Sequence, residues 1–276
     1  MDSYFKEWAQ RLEAIGDKNV SSMRLINWLV QGLGIETDIR FLKLDSLNLK
    51  QKNQIETGLL RLLKREPISK VLNQKDFYGR TFKTTHDTLD PRSDSETLIR
   101  AMLEHFKQEC ELQFIDFGTG TGCLLITLLL ELPYAKGVAV DLSAKALAVA
   151  RENAEHHGVD GRIQFCESNW CHSVTGIYDG IISNPPYITS HYPLDPSVAH
   201  FDPEMALFGG EDGLDAYRAL FSQLRPLCHA NTKVVVEIGF DQSKFVPAIA
   251  QKNGFKLLSM HRDDGNIIRA LTFQCE

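Results

Sequence analysis

Residues 114–124 read FIDFGTGTGCL: an apolar run that closes on Asp116 and Phe117, three glycines at alternate positions, and a second apolar run. Glycine reaches left-handed backbone at little cost and lets a ligand approach the main chain closely. Gly118, Gly120 and Gly122, interleaved by Thr119 and Thr121, therefore turn a strand into a helix at the strand's carboxyl end, where open α/β sheets bind their ligands. The spacing lacks the two-residue step before the last glycine of a dinucleotide fingerprint, and no phosphate-binding lysine follows. A dehydrogenase and a P-loop both fit poorly.

Outward from this stretch, the chain from residue 112 on alternates strand and helix. LQFIDFG, AKGVAVD, RIQFCE, YDGIISN, TKVVVEIG, FKLLSMH and IIRALTF read as seven strands, with helices near 122–132, 143–157, 213–227 and 242–253. That rhythm predicts an α/β fold: a mostly parallel sheet with helices on both faces.

The first 66 residues have a different period. Phe5, Trp8, Ala9, Leu12 and Ile15 share a helical face behind Ser3 as potential cap, with Gly16 as stop. Leu25, Ile26, Leu29, Val30 and Leu33 repeat the pattern behind Ser21 or Ser22, and a third helix runs from about Leu49 to Lys64. KDFYGRTFKTT reads as a hairpin around Gly79. The expected domains are a helical bundle over 1–72, a hairpin linker over 73–90 and a catalytic domain over 91–276.

Composition narrows the function. A chain of 276 residues with net charge −6 suits no large nucleic-acid footprint, which needs clustered cations. The richest apolar run, CLLITLLLEL, is too short to span a bilayer, and the amino terminus resembles neither a secretory signal nor a transit peptide. A cytoplasmic, monomeric protein is expected. No two of the six cysteines have the close spacing of a structural zinc site, so reduced thiols and no metal are the reading. His156 and His157 read as solvated helix surface.

Asp141 ends the strand GVAVD about twenty residues beyond the glycine loop, where an acid accepts hydrogen bonds from both hydroxyls of an adenosine ribose; its other reading is the cap of the helix starting near Ser143. The next strand ends in CESNWC, where Asn169 can bond an adenine edge and Trp170 can cover the ring. Taken alone, Trp170 equally reads as core.

Residues 181–189, IISNPPYIT, hold an amide in a stiff frame. A planar amide or aromatic amine is a poor nucleophile because its lone pair is delocalised. If the Asn184 side-chain oxygen and the Pro185 carbonyl each accept one of its N–H bonds, the lone pair is aimed and the developing positive charge is stabilised. Pro185 and Pro186 fix their own φ and lack N–H groups, and Tyr187 can stack on the flat group. The bland reading is a double-proline turn capping a strand. The motif narrows the substrate to a planar NH2 without choosing between an amide and a base.

From about residue 112 the order of glycine loop, ribose acid, adenine strand and NPPY resembles the class I S-adenosylmethionine-dependent methyltransferases, which implies their seven-stranded sheet. Over nearly the whole chain, with DPRSDSETL, FDPEMALFGGEDGL and RDDGNIIRAL as further matches, the sequence resembles the bacterial release-factor glutamine methyltransferases. The resemblance implies methylation of the glutamine in a Gly-Gly-Gln loop of peptide chain release factors. It places the methionine and adenosine parts of S-adenosylmethionine on Gly118 to Gly122, the ribose on Asp141, the adenine near Asn169 and Trp170, and the glutamine on Asn184 to Tyr187, with Asn184 also bordering the cofactor. Two departures stand out: the family usually has aspartate at Asn169, and proline at Ser93. Glutamine methylation of a ribosomal protein is the nearest alternative. A nucleic-acid amino-methyltransferase would need a basic, aromatic-studded recognition region, and a binding module would need a damaged loop or motif.

Overall fold

The structure is a computed structural model that describes residues 1–15 and 20–276. It divides into two compact units, Met1–Gln74 with Leu194–Phe201, and Lys75–Pro193 with Asp202–Glu276.

The first unit contains α1 (Ser3–Ala14), α2 (Ser22–Gly32), α3 (Leu49–Leu63) and α4 (Ile68–Leu72). Phe5, Trp8, Leu12, Ile26, Leu29, Val30, Ile55 and Leu59 fill its core. Asp2, rather than Ser3, caps α1, its side chain accepting from Tyr4 N at 3.0 Å; the acid sits one residue earlier and leaves Ser3 inside the first turn. Ser21 caps α2, and Asn48 and Gln51 form a reciprocal capping box on α3. Gly16, read as the stop of the first helix, lies outside the described residues.

The second unit opens with β1 (Gln74–Phe77) and β2 (Arg80–Lys83), joined by Tyr78 and Gly79, both at positive φ, as the tightest hairpin turns require. Phe77 and Phe82 enter the large core. Then follow α5 (Glu96–Leu103), β3 (Gln113–Phe117), α6 (Cys123–Glu131), β4 (Lys136–Asp141), α7 (Ala144–His156), β5 (Ile163–Glu167), β6 (Tyr178–Ser183), α8 (Pro196–Phe201), which groups with the first unit, α9 (Asp215–Leu224), β7 (Cys228–Glu237), α10 (Phe245–Lys252), β8 (Phe255–Arg262) and β9 (Ile268–Cys275).

All seven strands read from the sequence are present, in the order β5-β4-β3-β6-β7-β9-β8. Pairings from β5 to β7 are parallel, and β9 runs antiparallel to both β7 and β8. Strand alternation sends Phe114, Ala139, Ile182 and Val235 to one face, under α5, α6 and α7. Ile115, Val140, Ile181 and Val234 go to the other, under α9 and α10. Every residue of α6 from Cys123 to Leu129 is buried, which explains its uninterrupted apolar run.

Among the described residues no helix is long and apolar enough to cross a membrane. Further details differ from the sequence reading. The helices α4, α5 and α8 were not anticipated, and His157 is no free surface group: its ring tilts on Phe82 at 4.7 Å and contacts the Thr81 carbonyl at 3.0 Å.

Candidate active site

The strand order reverses between β3 and β6, because β4 and β5 continue to one side of β3 while β6 returns to the other. Such a switch point opens a crevice at the carboxyl ends of the two strands. Here the register pairs Phe117 with Ser183, and Ser183 Oγ donates to Phe117 O at 2.7 Å. The glycine loop and Asn184 therefore leave the sheet side by side.

Gly118, Gly120 and Gly122 have φ of +72°, +54° and +79°. The N–H groups of Gly118 and Thr119 both donate to Val140 O at 2.9 Å, and Gly122 N donates to Thr119 O at 2.8 Å. A Cβ added at Gly118 or Gly120 would meet nothing within 4 Å, whereas at Gly122 it would meet Ile126 Cδ1 at 2.9 Å and Ala150 Cβ at 3.2 Å. The first two glycines keep a space open for a ligand; the third lets α6 approach α7.

Asp141 closes the far side of this loop. Its Oδ2 accepts from Gly120 N and its Oδ1 from Ser143 N, both at 2.9 Å. Burial raises its pKa, opposed by those N–H groups. The cap of α7 is Ser143, whose Oγ accepts from Ala146 N, so the capping role weighed for Asp141 belongs to its neighbour.

One cleft is lined by Gly118, Thr119, Gly120, Thr121, Asp141, Asn169, Trp170, Asn184 and Pro186, together with the segment Asp87 to Arg92 and Ser95. Asn169 is exposed, while Trp170, at φ +51°, also packs against the core beneath α9. Gly122, Pro185 and Tyr187 are not among the lining residues. Pro185 is buried, and Tyr187 turns its hydroxyl inward to donate to Glu237 Oε1 at 3.2 Å. Burial and the nearby Glu237 carboxylate raise the Tyr187 pKa.

Three polar residues around the cleft went unremarked as site residues in the sequence. Asp116, fully buried at the end of β3, accepts from Thr119 Oγ1 at 2.7 Å through Oδ2, while its Oδ1 has no hydrogen-bond partner; burial pushes its carboxyl up to about 7. Ser95 accepts from Asn184 Nδ2 at 3.1 Å and donates to Glu237 Oε2 at 2.5 Å. Glu237, 1% exposed at the end of β7, is likewise pushed by burial to about 7. The available signal was an acid embedded in each apolar strand, FIDFG and VVVEIG.

The residues fit an adenosine-bearing amino-acid cofactor. The two open glycines leave room against the main chain, Asp141 offers carboxylate lone pairs beside it, and Trp170 supplies an aromatic face.

Comparison with known proteins agrees. A family model described as a methyltransferase small domain matches residues 86–200. A release factor glutamine methyltransferase of Agrobacterium fabrum (strain C58) is 40% identical over 215 residues, covering 76% of this chain and 74% of that protein. Its counterpart in Cereibacter sphaeroides is 39% identical over 221 residues, with 79% and 78% covered. A ribosomal protein L11 methylase from Lactobacillus delbrueckii subsp. bulgaricus, at 19% identity, superposes with a TM-score of 0.51 over 73% of this chain and 89% of its own, and shares the fold alone. With a switch-point cleft of this design and relatives this similar over three quarters of its length, the chain belongs to the release factor glutamine methyltransferase family.

Proposed function

We propose that this protein transfers a methyl group from S-adenosylmethionine to the side-chain amide nitrogen of the glutamine in the Gly-Gly-Gln loop of peptide chain release factors. The observation that carries the reading is the shared cleft: Asn184 and Pro186 line the same cleft as the glycine loop and Asp141.

When bound, S-adenosylmethionine supplies an electrophilic methyl on a sulfonium. Gly118 to Gly120 give it main-chain contact, Asp141 the ribose contact, and Asn169 with Trp170 the adenine contact. The Asn184 Oδ1 and the Pro185 carbonyl accept the two N–H bonds of the substrate amide, aim its lone pair and stabilise the positive charge that develops on nitrogen. Because Pro185 and Pro186 cannot rotate φ freely, the carbonyl holds its aim. The helical domain over 1–72 serves to recognise the protein substrate.

Transfer of a labelled methyl group to a full-length release factor, to the same factor with the glutamine replaced by alanine, to ribosomal proteins and to an adenine-containing DNA duplex tests this directly. Label on the wild-type factor alone is expected. Label on DNA, on a ribosomal protein in preference to the factor, or on the altered factor refutes it.

A further inference from the structure

Glu237 and Ser95 belong to none of the contacts proposed for cofactor or substrate, yet both are buried and both reach the NPPY segment. A carboxylate with almost no solvent exposure is costly to keep unless it does something that a neutral side chain cannot. Its two oxygens are used separately: Oε2 accepts from Ser95 Oγ, and Oε1 accepts from Tyr187 Oη. Ser95 in turn accepts from Asn184 Nδ2.

These three bonds have a direction. An ionised carboxylate only accepts, and a serine has a single proton to donate. With that proton committed to Glu237, Ser95 can offer Asn184 nothing but a lone pair. The Asn184 amide must then turn its NH2 toward Ser95 and its oxygen away. An asparagine amide is nearly symmetric in shape, so packing alone chooses weakly between its two orientations. The choice matters because an NH2 presented to the substrate amide would oppose another NH2.

We infer that Glu237, acting through Ser95, is a positioning residue that fixes the Asn184 amide with its oxygen toward the substrate nitrogen, while its second oxygen anchors Tyr187. The inference rests on the proposed role of Asn184 as acceptor. Glu237 is held from three sides: Ser95 and Asp94 precede α5, Tyr187 follows β6, and Arg269 lies on β9. Arg269 bonds Asp263 at 3.2 Å and pairs with Asp94 at 3.3 Å.

The test uses the full chain at pH 8, above the value of about 7 to which burial pushes Glu237, with full-length release factor and saturating S-adenosylmethionine. Asn184→Ala is expected to lower kcat by about 10²–10³-fold. Ser95→Ala, which removes the bonds to both Asn184 and Glu237 and frees the amide, lowers kcat about 3- to 10-fold, with KM and the S-adenosylmethionine Kd within twofold of wild type. Glu237→Gln, whose NH2 can donate to Ser95 and reverse the chain, lowers kcat similarly. In the Asn184→Ala background, Ser95→Ala has no further effect, which a merely structural role would not produce. Should Asn184→Ala keep full kcat, the acceptor reading falls and this inference with it. If Asn184→Ala is crippled while Ser95→Ala runs at wild-type kcat, or multiplies the loss in the double variant, or acts on cofactor Kd alone, the positioning role is wrong and the acceptor reading stands.

Discussion

Gly120→Ala and Gly122→Ala differ by two positions in one loop and should fail in different ways. Both residues have left-handed φ, +54° and +79°, so an alanine at either costs about 1–2 kcal/mol of folding stability. In a domain of this size that is about 2–8 °C in Tm. The added methyl then separates them. At Gly120 it meets no protein atom within 4 Å and projects into the space kept for the cofactor. At Gly122 it meets Ile126 Cδ1 at 2.9 Å and Ala150 Cβ at 3.2 Å, which adds an overpacking cost of about 1–3 kcal/mol.

Gly122→Ala is therefore the less stable variant, but its methyl stays within the packing of α6 on α7, and its cofactor affinity should remain within threefold of wild type. Gly120→Ala transfers the overpacking cost to the ligand: about 1–3 kcal/mol, a Kd raised about 5- to 150-fold. Calorimetric titration with S-adenosylmethionine, beside thermal unfolding with and without it, reads both quantities. If Gly120→Ala titrates like wild type, or Gly122→Ala is the variant that loses affinity, the division of the loop into ligand-facing and packing glycines is refuted.

Asp141→Ala removes the acceptor of Gly120 N and the charged partner proposed for the ribose; cofactor binding should weaken by about 1.5–3 kcal/mol, and an unchanged calorimetric Kd would reduce Asp141 to a loop brace. Asp116, raised by burial from 3.8 to about 7, keeps a proton in the folded chain that the unfolded chain releases near pH 4, so it makes stability fall as pH rises through that window, by about 1.4 kcal/mol per pH unit in its middle. Asp116→Asn lacks this slope, and urea unfolding at pH 5 and pH 7 should show the variant gaining on wild type at the higher pH; parallel behaviour contradicts the burial argument. A chain beginning at Lys75 keeps every cleft residue and the buried Phe77 and Phe82, and is expected to bind S-adenosylmethionine while losing kcat/KM on full-length release factor; unchanged kcat/KM in a folded fragment speaks against substrate recognition by the helical domain.

The central strands β3, β6 and β7 were legible because strands covered on both faces must be apolar along their length, the antiparallel edge strand β8 alternates buried and exposed residues instead, and the glycine loop was legible because three left-handed turns leave few other residues possible. Less could be read where the signal is short or distant. The helix α5 has only eight residues and no side-chain cap, and its polar face is reduced to Glu96 and Arg100, four residues apart, so its period repeats barely twice. Glu237 and Ser95 lie 142 residues apart. Their meeting depends on β7 lying beside β6 and α5 packing over both, a pairing order that no local pattern encodes. Tyr187 was read as a stacking face from its place in the motif, and its inward hydroxyl likewise depends on where Glu237 stands.

The acids share a location that bears on what the cleft is built to hold. Asp116, Asp141 and Glu237 are the last or next-to-last residues of β3, β4 and β7, all on the carboxyl edge of the sheet. Desolvation raises the pKa of each, which is the physical sign that the fold keeps them there against their preference for water. A phosphate ligand in the cleft would face the Asp141 carboxylate and find no lysine following the loop. On the proposed reading, S-adenosylmethionine brings a sulfonium and an ammonium to this edge instead. On that reading the positive charge passes in the transfer from sulfur to the amide nitrogen, where the acceptors proposed at Asn184 and Pro185 would meet it. Carboxylates along one sheet edge with neutral oxygen acceptors beside them suit a reaction in which positive charge passes across a transferred methyl group from sulfur to nitrogen.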